Sequence, residues 1–235
     1  FSDPRLKYIK SPDEKNGSQA RNIGIQNASH EFIAFLDDDD EWLPNKLDIQ
    51  MRTFASAPSA VGFCYTAVNN VSGDVSSRTY IIEGINDYYE VSLRHFKGVL
   101  TVTLLTKKSI LEEVGGFDET LPSHQEAELV IRLSQKYKGL GINEPLVNVN
   151  MNQDRKSVVN SNWQNRVQGR LRLLEKHSEI YSKYPDYLAK HYFWLGLQYR
   201  DAGESKKALQ YFGQAWQKHK KLRFLIHILK QTISR

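Results

Sequence analysis

The stretch Ile33–Asp40 reads Ile-Ala-Phe-Leu-Asp-Asp-Asp-Asp, so that four apolar residues are followed directly by four carboxylates. Four consecutive apolar residues without polar alternation are typical of a strand that is covered on both faces, as in a parallel sheet flanked by helices. Ligands of such sheets bind at the carboxyl ends of the strands. Because four adjacent anions repel one another, this stretch predicts a bound divalent cation or cationic ligand.

The same aspartates have a second interpretation as turn and cap residues. Aspartate is common between a strand and a helix, where it accepts hydrogen bonds from free amide groups and interacts favourably with the helix dipole. One or two carboxylates suffice for that role and further ones add only repulsion, which favours the metal interpretation. Pro44 then indicates a helix start, and apolar residues continue at helical spacing from Leu43 to Phe54.

Composition places the chain among globular proteins. It has 235 residues, of which 40% are hydrophobic, enough for one medium domain and a smaller region. Cys64 is the only cysteine, so an internal disulfide is excluded and a reducing, cytoplasmic location is expected. No apolar stretch has the length of a membrane span, and the net charge of +5 permits anionic partners of several kinds.

Two regions differ in their periodicity. The first third of the chain alternates helix and strand patterns, which predicts an α/β layer fold with a parallel sheet. The last strand of this domain is predicted at Pro145–Val149. From about Asn165 the pattern is purely helical, and a helix pair around Gly203 has the spacing of a tetratricopeptide repeat. One such repeat cannot bury its own face, so we expect it to pack on neighbouring helices; recognition of a partner is the second interpretation.

A second group of chemically capable residues opens the helix predicted from His124 to Tyr137. Glu126 shares the apolar face of this helix, whereas Glu128 precedes Arg132 by four residues and is expected to form an exposed ion pair with it. Glu126 is therefore the better candidate for a general base. The sequence Ser123-x-x-Glu126 is equally typical of a capping box, in which the glutamate has only a structural role.

Three further charged segments carry weaker predictions. His124 beside the helix cap is more typical of a solvated side chain than of a ligand or base. Arg155 and Lys156 are candidates for phosphate contacts or for solvated surface. No acidic residue follows Glu204, so the carboxyl end is basic. The helix expected at Leu222–Ile233 is a candidate for peripheral contact with anionic membrane or for simple packing on its neighbours. Nucleic acid is not an expected partner.

Three motifs together resemble the family 2 glycosyltransferases, over roughly residues 3 to 158. They are the segments 16–24 (Asn-Gly-Ser-Gln-Ala-Arg-Asn-Ile-Gly), 35–47 (Phe-Leu-Asp-Asp-Asp-Asp-Glu-Trp-Leu-Pro-Asn-Lys-Leu) and 114–119 (Val-Gly-Gly-Phe-Asp-Glu). The resemblance implies the GT-A fold, an α/β architecture with a mixed, mainly parallel sheet flanked by helices. It also implies a GT-A domain at residues 1–158, incomplete at its amino-terminal side. The helical pattern that follows predicts an all-α region at 159–235 with one tetratricopeptide-like helix pair.

The resemblance further implies an inverting transfer of a sugar from a nucleoside diphosphate sugar to a hydroxyl acceptor, with a divalent Mn or Mg ion. The acceptor implied by the resemblance is a carbohydrate or a lipid-linked sugar, and the implied context is bacterial cell-surface glycan synthesis. The implied site residues are Glu126 as catalytic base; Asn16, Arg21, Asp37 and Asp38 for the donor; Asp39 and Asp37 for the metal, with Asp40 assisting; and Trp42 and Asp118 on the acceptor side.

The chain departs from the family pattern in three ways. Glu126 stands where the family usually has an aspartate, and the segment Asn148–Gln153 has asparagines where relatives often present a histidine to the metal. The strands that hold the nucleotide base in the family do not occur before Leu6, so we expect a truncated domain that binds the donor poorly. A catalytically degenerate, transferase-like scaffold protein is therefore the alternative function.

Overall fold

A computed structural model of the chain describes residues 3–10, 16–95, 99–151, 162–221 and 224–227. The described residues form one curled sheet with helices packed on it and a region that is helical from Trp163 onward. The strands are β1 Phe32–Ala34, β2 Glu41–Trp42, β3 Val61–Ser72, β4 Val75–Thr79, β5 Gly84–Asn86, β6 Leu105–Lys107 and β7 Lys138–Asn150. The helices are α1 Gly17–Asn27, α2 Lys46–Ala55, α3 Tyr89–Arg94, α4 Lys108–Glu113, α5 Gln125–Lys136, α6 Trp163–Lys176, α7 Ser178–Lys183, α8 Pro185–Asp201 and α9 Ser205–Lys218, with a single 3₁₀ turn at Thr101–Thr103.

The sheet is mixed, in the order β1-β6-β3-β7-β2, with β4 paired to β3 and β5 paired to β7. The predicted α/β architecture with flanking helices and a helical carboxyl-terminal region is confirmed. The expectation of a mainly parallel sheet is corrected, since among the described pairings only β3 and β7 are parallel. The reason is that β1 and β3 run in the same direction but are not neighbours, because β6 lies between them and is antiparallel to both.

The centre of the sheet is covered on both faces. All residues from Val61 to Val68 in β3 are buried, as the uninterrupted apolar run predicts. On one face, Leu129 and Leu133 of α5 pack with Phe63 and Tyr65 in a single apolar cluster. Because α5 lies on this cluster, its first turn is held at the edge of the sheet, beside the residues that follow β1.

The carboxyl-terminal helices share a hydrophobic core with the sheet region. Leu93 of α3 and Ala127 and Ile131 of α5 belong to the same buried cluster as the apolar residues of α6 to α9. The hydroxyl of Tyr181 donates a 3.1 Å hydrogen bond to the carbonyl of Leu93. The helical region therefore packs directly against α5, the helix that carries the candidate base.

The helix pair α8 and α9 turns at Gly203, which has a positive φ of 78°. The assignment of this pair as tetratricopeptide-like stays a prediction. Arg155 and Lys156 lie outside the described residues, as does most of the helix expected at 222–233. Across the described ranges, each helix is too short or too polar to cross a bilayer.

Candidate functional site

A cavity of about 790 Å³ lies where β1 ends and α5 begins. It joins the two segments that the sequence singled out, because its lining includes all four aspartates of the acidic turn, residues 37–40, together with Glu126. The other predicted site residues in the lining are Asn16 and Arg21. The lining also includes Thr101, Val102, Ser123, His124 and Asn165.

The acidic turn is ordered by its own backbone and by neighbouring elements. The amide of Asp40 donates to the carbonyl of Asp37 at 3.2 Å, and the amide of Asn150 donates to Asp40 Oδ1 at 3.1 Å. Arg21 Nη2 lies 2.8 Å from Asp37 Oδ1 in a partly exposed ion pair. Asp38 and Asp39 also line the cavity and are exposed. Asp37 is thus neutralised by a cation of the protein.

Asn16 connects α1 to the loop that precedes α5. Asn16 Oδ1 accepts from the backbone amide of Gln19, and the backbone amide of Asn16 donates to Gln19 Oε1, so that the two residues form the capping box of α1. Asn16 Nδ2 also donates to the carbonyl of Glu119 at 2.9 Å. The structure therefore gives this predicted donor-binding residue a structural function at the cavity wall.

Glu126 lies in the first turn of α5 and is partly buried. The pKa of its carboxyl group is raised, mainly by burial. A hydrogen bond from its own backbone amide and the positive charge of Arg21 act to lower this pKa, whereas the negative charge of Asp37 acts to raise it. The side chain is thus within electrostatic range of the Arg21–Asp37 pair. A carboxylate with a raised pKa has an increased affinity for protons, which suits a general base that takes a proton from a hydroxyl.

The structure corrects two expectations about this segment. The capping box at Ser123 is not formed, because His124 is the N-cap of α5 and Ser123 Oγ instead donates to the carbonyl of Asn165 at 2.9 Å. Glu128 does pair with Arg132, but it is fully buried rather than exposed. Lys176 and His177 of α6 also contact its carboxylate. Glu128 is buried because α6 covers this face of α5, which the local sequence does not reveal.

His124 is a residue to which sequence reasoning gave little weight. It is the only described non-glycine residue with a positive φ, at 63°, and it lines the cavity next to Glu126. Burial, together with the positive charges of Arg170 and Arg166, lowers the pKa of its imidazole to about 3. His124 is therefore neutral at physiological pH. A left-handed backbone at a non-glycine residue is strained and is frequent at functional sites.

Trp42 and Asp118, the predicted acceptor-side residues, have structural contacts. Trp42 Nε1 donates to the carbonyl of Val102 at 3.1 Å, and Lys46 Nζ lies 4.2 Å from the centre of the Trp42 ring. Asp118 pairs with Lys176 at 2.6 Å and accepts from Thr120. The cavity lining given above includes neither residue, and their acceptor role stays a prediction.

The donor set of the acidic turn fits a metal only in part. Within the residues that the structure describes, no three histidine, cysteine or acidic side chains converge as a preformed metal cluster. Mg²⁺ sites at nucleotides use one or two protein carboxylates and take further oxygen ligands from phosphates and water. Asp38 and Asp39 are exposed and carry carboxylate oxygens of the kind that such a shared site uses. Asp37 forms an ion pair with Arg21.

Known proteins resemble this chain in sequence. The family model "Glycosyl transferase family 2" matches residues 1–110. The amylovoran biosynthesis glycosyltransferase AmsB of Erwinia amylovora is 26% identical over 158 residues, which are 64% of this chain and 52% of AmsB. The UDP-Glc:alpha-D-GlcNAc-diphosphoundecaprenol beta-1,3-glucosyltransferase WfgD of Escherichia coli is 47% identical over 51 residues, 22% of this chain and 20% of WfgD. The chain thus spans about half of AmsB and a fifth of WfgD.

A solved structure shares the fold. The mannosyltransferase PcManGT from Pyrobaculum calidifontis, in complex with GDP-Man and Mn²⁺, superposes with a TM-score of 0.51 at 13% identity, covering 96% of this chain and 61% of PcManGT. The fold is that of GT-A-like transferases. The family match ends before α5 and so does not include Glu126. Over residues 1–110 this chain is therefore similar to glycosyl transferase family 2.

Proposed function

We propose that this chain is part of an inverting glycosyltransferase that uses a nucleoside diphosphate sugar and a hydroxyl acceptor. The observation that carries the proposal is the shared cavity, in which the acidic turn and Glu126 line the same space. A donor diphosphate requires positive charge and a reacting hydroxyl requires a base. One cavity that offers a cation-binding edge and a carboxylate of raised pKa provides both.

In the proposed reaction Glu126 accepts the proton of the acceptor hydroxyl. The hydroxyl oxygen forms a bond to the anomeric carbon from the side opposite the diphosphate, the bond from that carbon to the diphosphate oxygen breaks, and the nucleoside diphosphate leaves. Arg21 and Asn16 bind and orient the donor from the α1 side. A Mn or Mg ion held by Asp39, with Asp37, Asp38 or Asp40 nearby, would supply positive charge for the departing diphosphate.

The acceptor is proposed to be a carbohydrate, in particular a lipid-linked sugar, made in the synthesis of a bacterial surface glycan. The name of WfgD specifies an acceptor linked through a diphosphate to undecaprenol, and AmsB is named for amylovoran biosynthesis. Such acceptors are in the membrane, so the protein would act at its inner face, where the basic carboxyl end would contact anionic lipid. These names support the proposal at the level of substrate class.

A donor screen with Mn²⁺ and lipid-linked acceptors tests the function. We expect transfer by the natural protein that contains this chain, loss of transfer in Asp39→Ala, and inversion at the anomeric carbon by NMR of the product. The alternative, a degenerate scaffold, is favoured by the Arg21–Asp37 pair, which occupies a carboxylate of the acidic turn. Tight donor binding without any transfer, unchanged in Glu126→Gln, would support the scaffold and contradict the enzyme.

A further inference from the structure

The 3₁₀ turn at Thr101–Thr103 forms a part of the cavity wall that neither the acidic turn nor α5 supplies. Leu100, Thr101 and Val102 line the cavity. The turn is closed by its own backbone, since the amide of Thr103 donates to the carbonyl of Leu100 at 2.9 Å. The place of this turn in the fold therefore decides the shape of the cavity on this side.

Two side chains that follow the acidic turn in the sequence hold the 3₁₀ turn. Trp42 Nε1 donates to the carbonyl of Val102 at 3.1 Å, and Gln50 Nε2 donates to the carbonyl of Thr103 at 2.9 Å. Val102 and Thr103 are consecutive in the chain, and both are buried. Hydrogen bonds to two adjacent peptide groups fix the orientation of the turn as well as its position relative to β2 and α2.

Lys46 contacts both of these side chains. It is fully buried, and its Nζ lies 2.6 Å from Gln50 Oε1 and 4.2 Å from the centre of the Trp42 ring. An ammonium group can only donate, so the amide of Gln50 must present Oε1 to Lys46 and Nε2 to the carbonyl of Thr103. The face of the Trp42 ring is attracted to the same charge. Lys46 thereby selects the orientation of Gln50 that holds the turn.

Burial of Lys46 is costly for the fold. Among the described residues, the contacts of its ammonium group are those to Gln50 and Trp42, and neither side chain is an anion. A buried charge without a counter-ion destabilises a protein, and methionine would fill a similar volume without that cost. Such a cost is typical of a group that orders a functional element. The element to which the contacts of Lys46 lead is the cavity wall.

Thr101 is the residue of the 3₁₀ turn that brings a polar side chain to the cavity lining. No hydrogen bond joins its hydroxyl to another described residue, whereas the hydroxyl of Thr103 donates to the carbonyl of Leu100 at 2.8 Å. A hydroxyl group both donates to and accepts from the hydroxyl groups of a sugar. Between the apolar side chains of Leu100 and Val102, Thr101 is suited to recognise one such group.

We propose that Lys46 is a positioning residue for the cavity wall. Through Gln50 and Trp42 it holds the 3₁₀ turn in place, and the hydroxyl of Thr101 in that turn binds a hydroxyl group of a sugar substrate. This inference rests on the proposed function and adds a sugar-binding wall to the base and the acidic turn. The sugar belongs to the donor or to the acceptor, which present the same chemistry and are distinguished below. Lys46 itself touches neither substrate.

Hydrogen exchange tests the hold on the turn without any turnover. The natural protein that contains this chain is analysed by mass spectrometry, in peptides that cover residues 100–104. Gln50→Glu keeps an acceptor for Lys46 but removes the donor to Thr103, and Lys46→Met removes the group that orients Gln50. We expect exchange of these peptides to be faster by about tenfold in Gln50→Glu and by a smaller factor in Lys46→Met.

Two control variants separate this local effect from a general loss of stability. Phe54→Leu removes packing from the same helix, where Phe54 belongs to a different apolar cluster from that of Val102. Arg200→Gln changes an exposed α8 residue that pairs with Asp201. Neither should accelerate exchange at residues 100–104. Equal acceleration in Phe54→Leu, or wild-type exchange in folded Gln50→Glu, would overturn the proposed hold on the turn.

Steady-state kinetics test the sugar contact, with the donor and acceptor that the transfer screen identifies. Thr101→Val keeps the shape of the side chain and removes the hydroxyl, so we expect it to raise the KM of one substrate about tenfold with kcat little changed. The substrate whose KM rises is the one that Thr101 contacts. Gln50→Glu and Lys46→Met should raise the same KM, and the two controls should leave it unchanged.

Two kinetic results would overturn the sugar contact. One is an unchanged KM for both substrates in Thr101→Val. The other is a fall in kcat alone in Gln50→Glu and Lys46→Met, which would indicate a purely structural role for Lys46. Failure of the proposed function is seen separately, as absence of transfer by the wild type, and the exchange rates then still decide whether Lys46 holds the turn.

Discussion

Arg21 and Asp37 form an ion pair of 2.8 Å on the cavity wall, and both charges act on Glu126. Burial is the largest influence on this carboxyl group and raises its pKa; Arg21 lowers the pKa and Asp37 raises it. The two members of one ion pair thus have opposite effects on the candidate base. Neutralising either of them should therefore shift the titration of Glu126 in a direction fixed by the sign of the charge removed.

The first prediction concerns the pH dependence of transfer. A general base must be deprotonated, so activity falls on the acid side of its pKa. Arg21→Gln removes a cation and should move this acid limb to higher pH, whereas Asp37→Asn removes an anion and should move it to lower pH. The measurement is kcat against pH for the wild type, both variants and Arg200→Gln as control. Shifts of the same sign in the two variants would exclude Glu126 as the titrating base.

The second prediction is that Glu126→Gln separates activity from stability. Loss of a general base costs typically about 10²–10⁴-fold in rate, and we expect kcat to fall in that range with the KM of the donor little changed. Glu112→Gln is a suitable control because Glu112 is exposed, with 58% of its side chain accessible. Wild-type kcat in Glu126→Gln would remove this residue from the mechanism.

The same substitution should stabilise the fold at neutral pH. The pKa of Glu126 is raised above its ordinary value of 4.5, so the unfolded chain releases this proton at lower pH than the folded protein does. Stability contributed by the protonated group is therefore lost as pH rises above 4.5, and Gln, which stays neutral, avoids that loss. Thermal melts should show a higher Tm for Glu126→Gln at pH 7 and little difference at or below pH 4.5.

The third prediction concerns Glu128, the buried carboxylate that joins α5 to α6. Burial alone would raise its pKa, but hydrogen bonds from His177, Arg132 and Lys176 hold the pKa far below its usual range. Removing one partner of a buried ion pair costs typically about 3–5 kcal/mol. We expect Glu128→Gln to lower the free energy of unfolding by roughly 3 kcal/mol at pH 7, measured in urea with Glu112→Gln as control.

The sign of the pH effect on Glu128 is opposite to that on Glu126. A lowered pKa stabilises the fold above the unfolded value of 4.5, and this stabilisation is lost as pH falls below 4.5. The difference between the wild type and Glu128→Gln should therefore shrink in acid. If Glu128→Gln lowers the free energy of unfolding only slightly at pH 7, or lowers it more in acid than at pH 7, the buried network is contradicted.

Strong local patterns were sufficient to predict α5 and the acidic turn. The helix predicted from His124 to Tyr137 is observed at Gln125–Lys136, because its apolar stripe at helical spacing packs on the sheet as expected. The acidic turn was predicted at the end of a strand, and it lines a cavity there. In these segments the local preference and the tertiary environment agree.

Other features depend on contacts that are distant in sequence. β7 was predicted only at Pro145–Val149, yet it runs over Lys138–Asn150. At Gly139 and Gly141 the sheet leaves no room for a side chain. A Cβ at Gly141 would lie 1.9 Å from the carbonyl oxygen of Ile82. The burial of Glu128 likewise follows from how α6 packs on α5, which the local sequence does not encode.

The fourth prediction concerns Lys46, a fully buried lysine beneath Trp42. Its ammonium group donates to Gln50 Oε1 at 2.6 Å, and burial lowers its pKa from 10.5 to about 8. A base with a lowered pKa destabilises the fold while it is charged, so wild-type stability should rise between pH 8 and 10.5 relative to Lys46→Met. The expected gain is roughly 3 kcal/mol by urea unfolding at a series of pH values. A pH-independent difference would show that the ammonium is solvated.

The fifth prediction compares two glycines in helices that differ in their surroundings. In Gly169→Ala the new Cβ would lie 2.2 Å from Ser123 Oγ and 2.6 Å from the Ser123 carbonyl oxygen, so α6 must move away from the start of α5. Such overpacking costs typically about 1–3 kcal/mol. In Gly213→Ala of α9 nothing lies within 4 Å of the new Cβ, and replacing a helical glycine by alanine should stabilise by about 0.5–1 kcal/mol. Urea unfolding measures both changes.

The same two variants should differ in activity. Because Ser123 precedes His124 and Glu126, Gly169→Ala should reduce kcat, whereas Gly213→Ala should leave kcat unchanged. Equal stability and equal kcat in the two variants would mean that α6 does not hold the beginning of α5 in place.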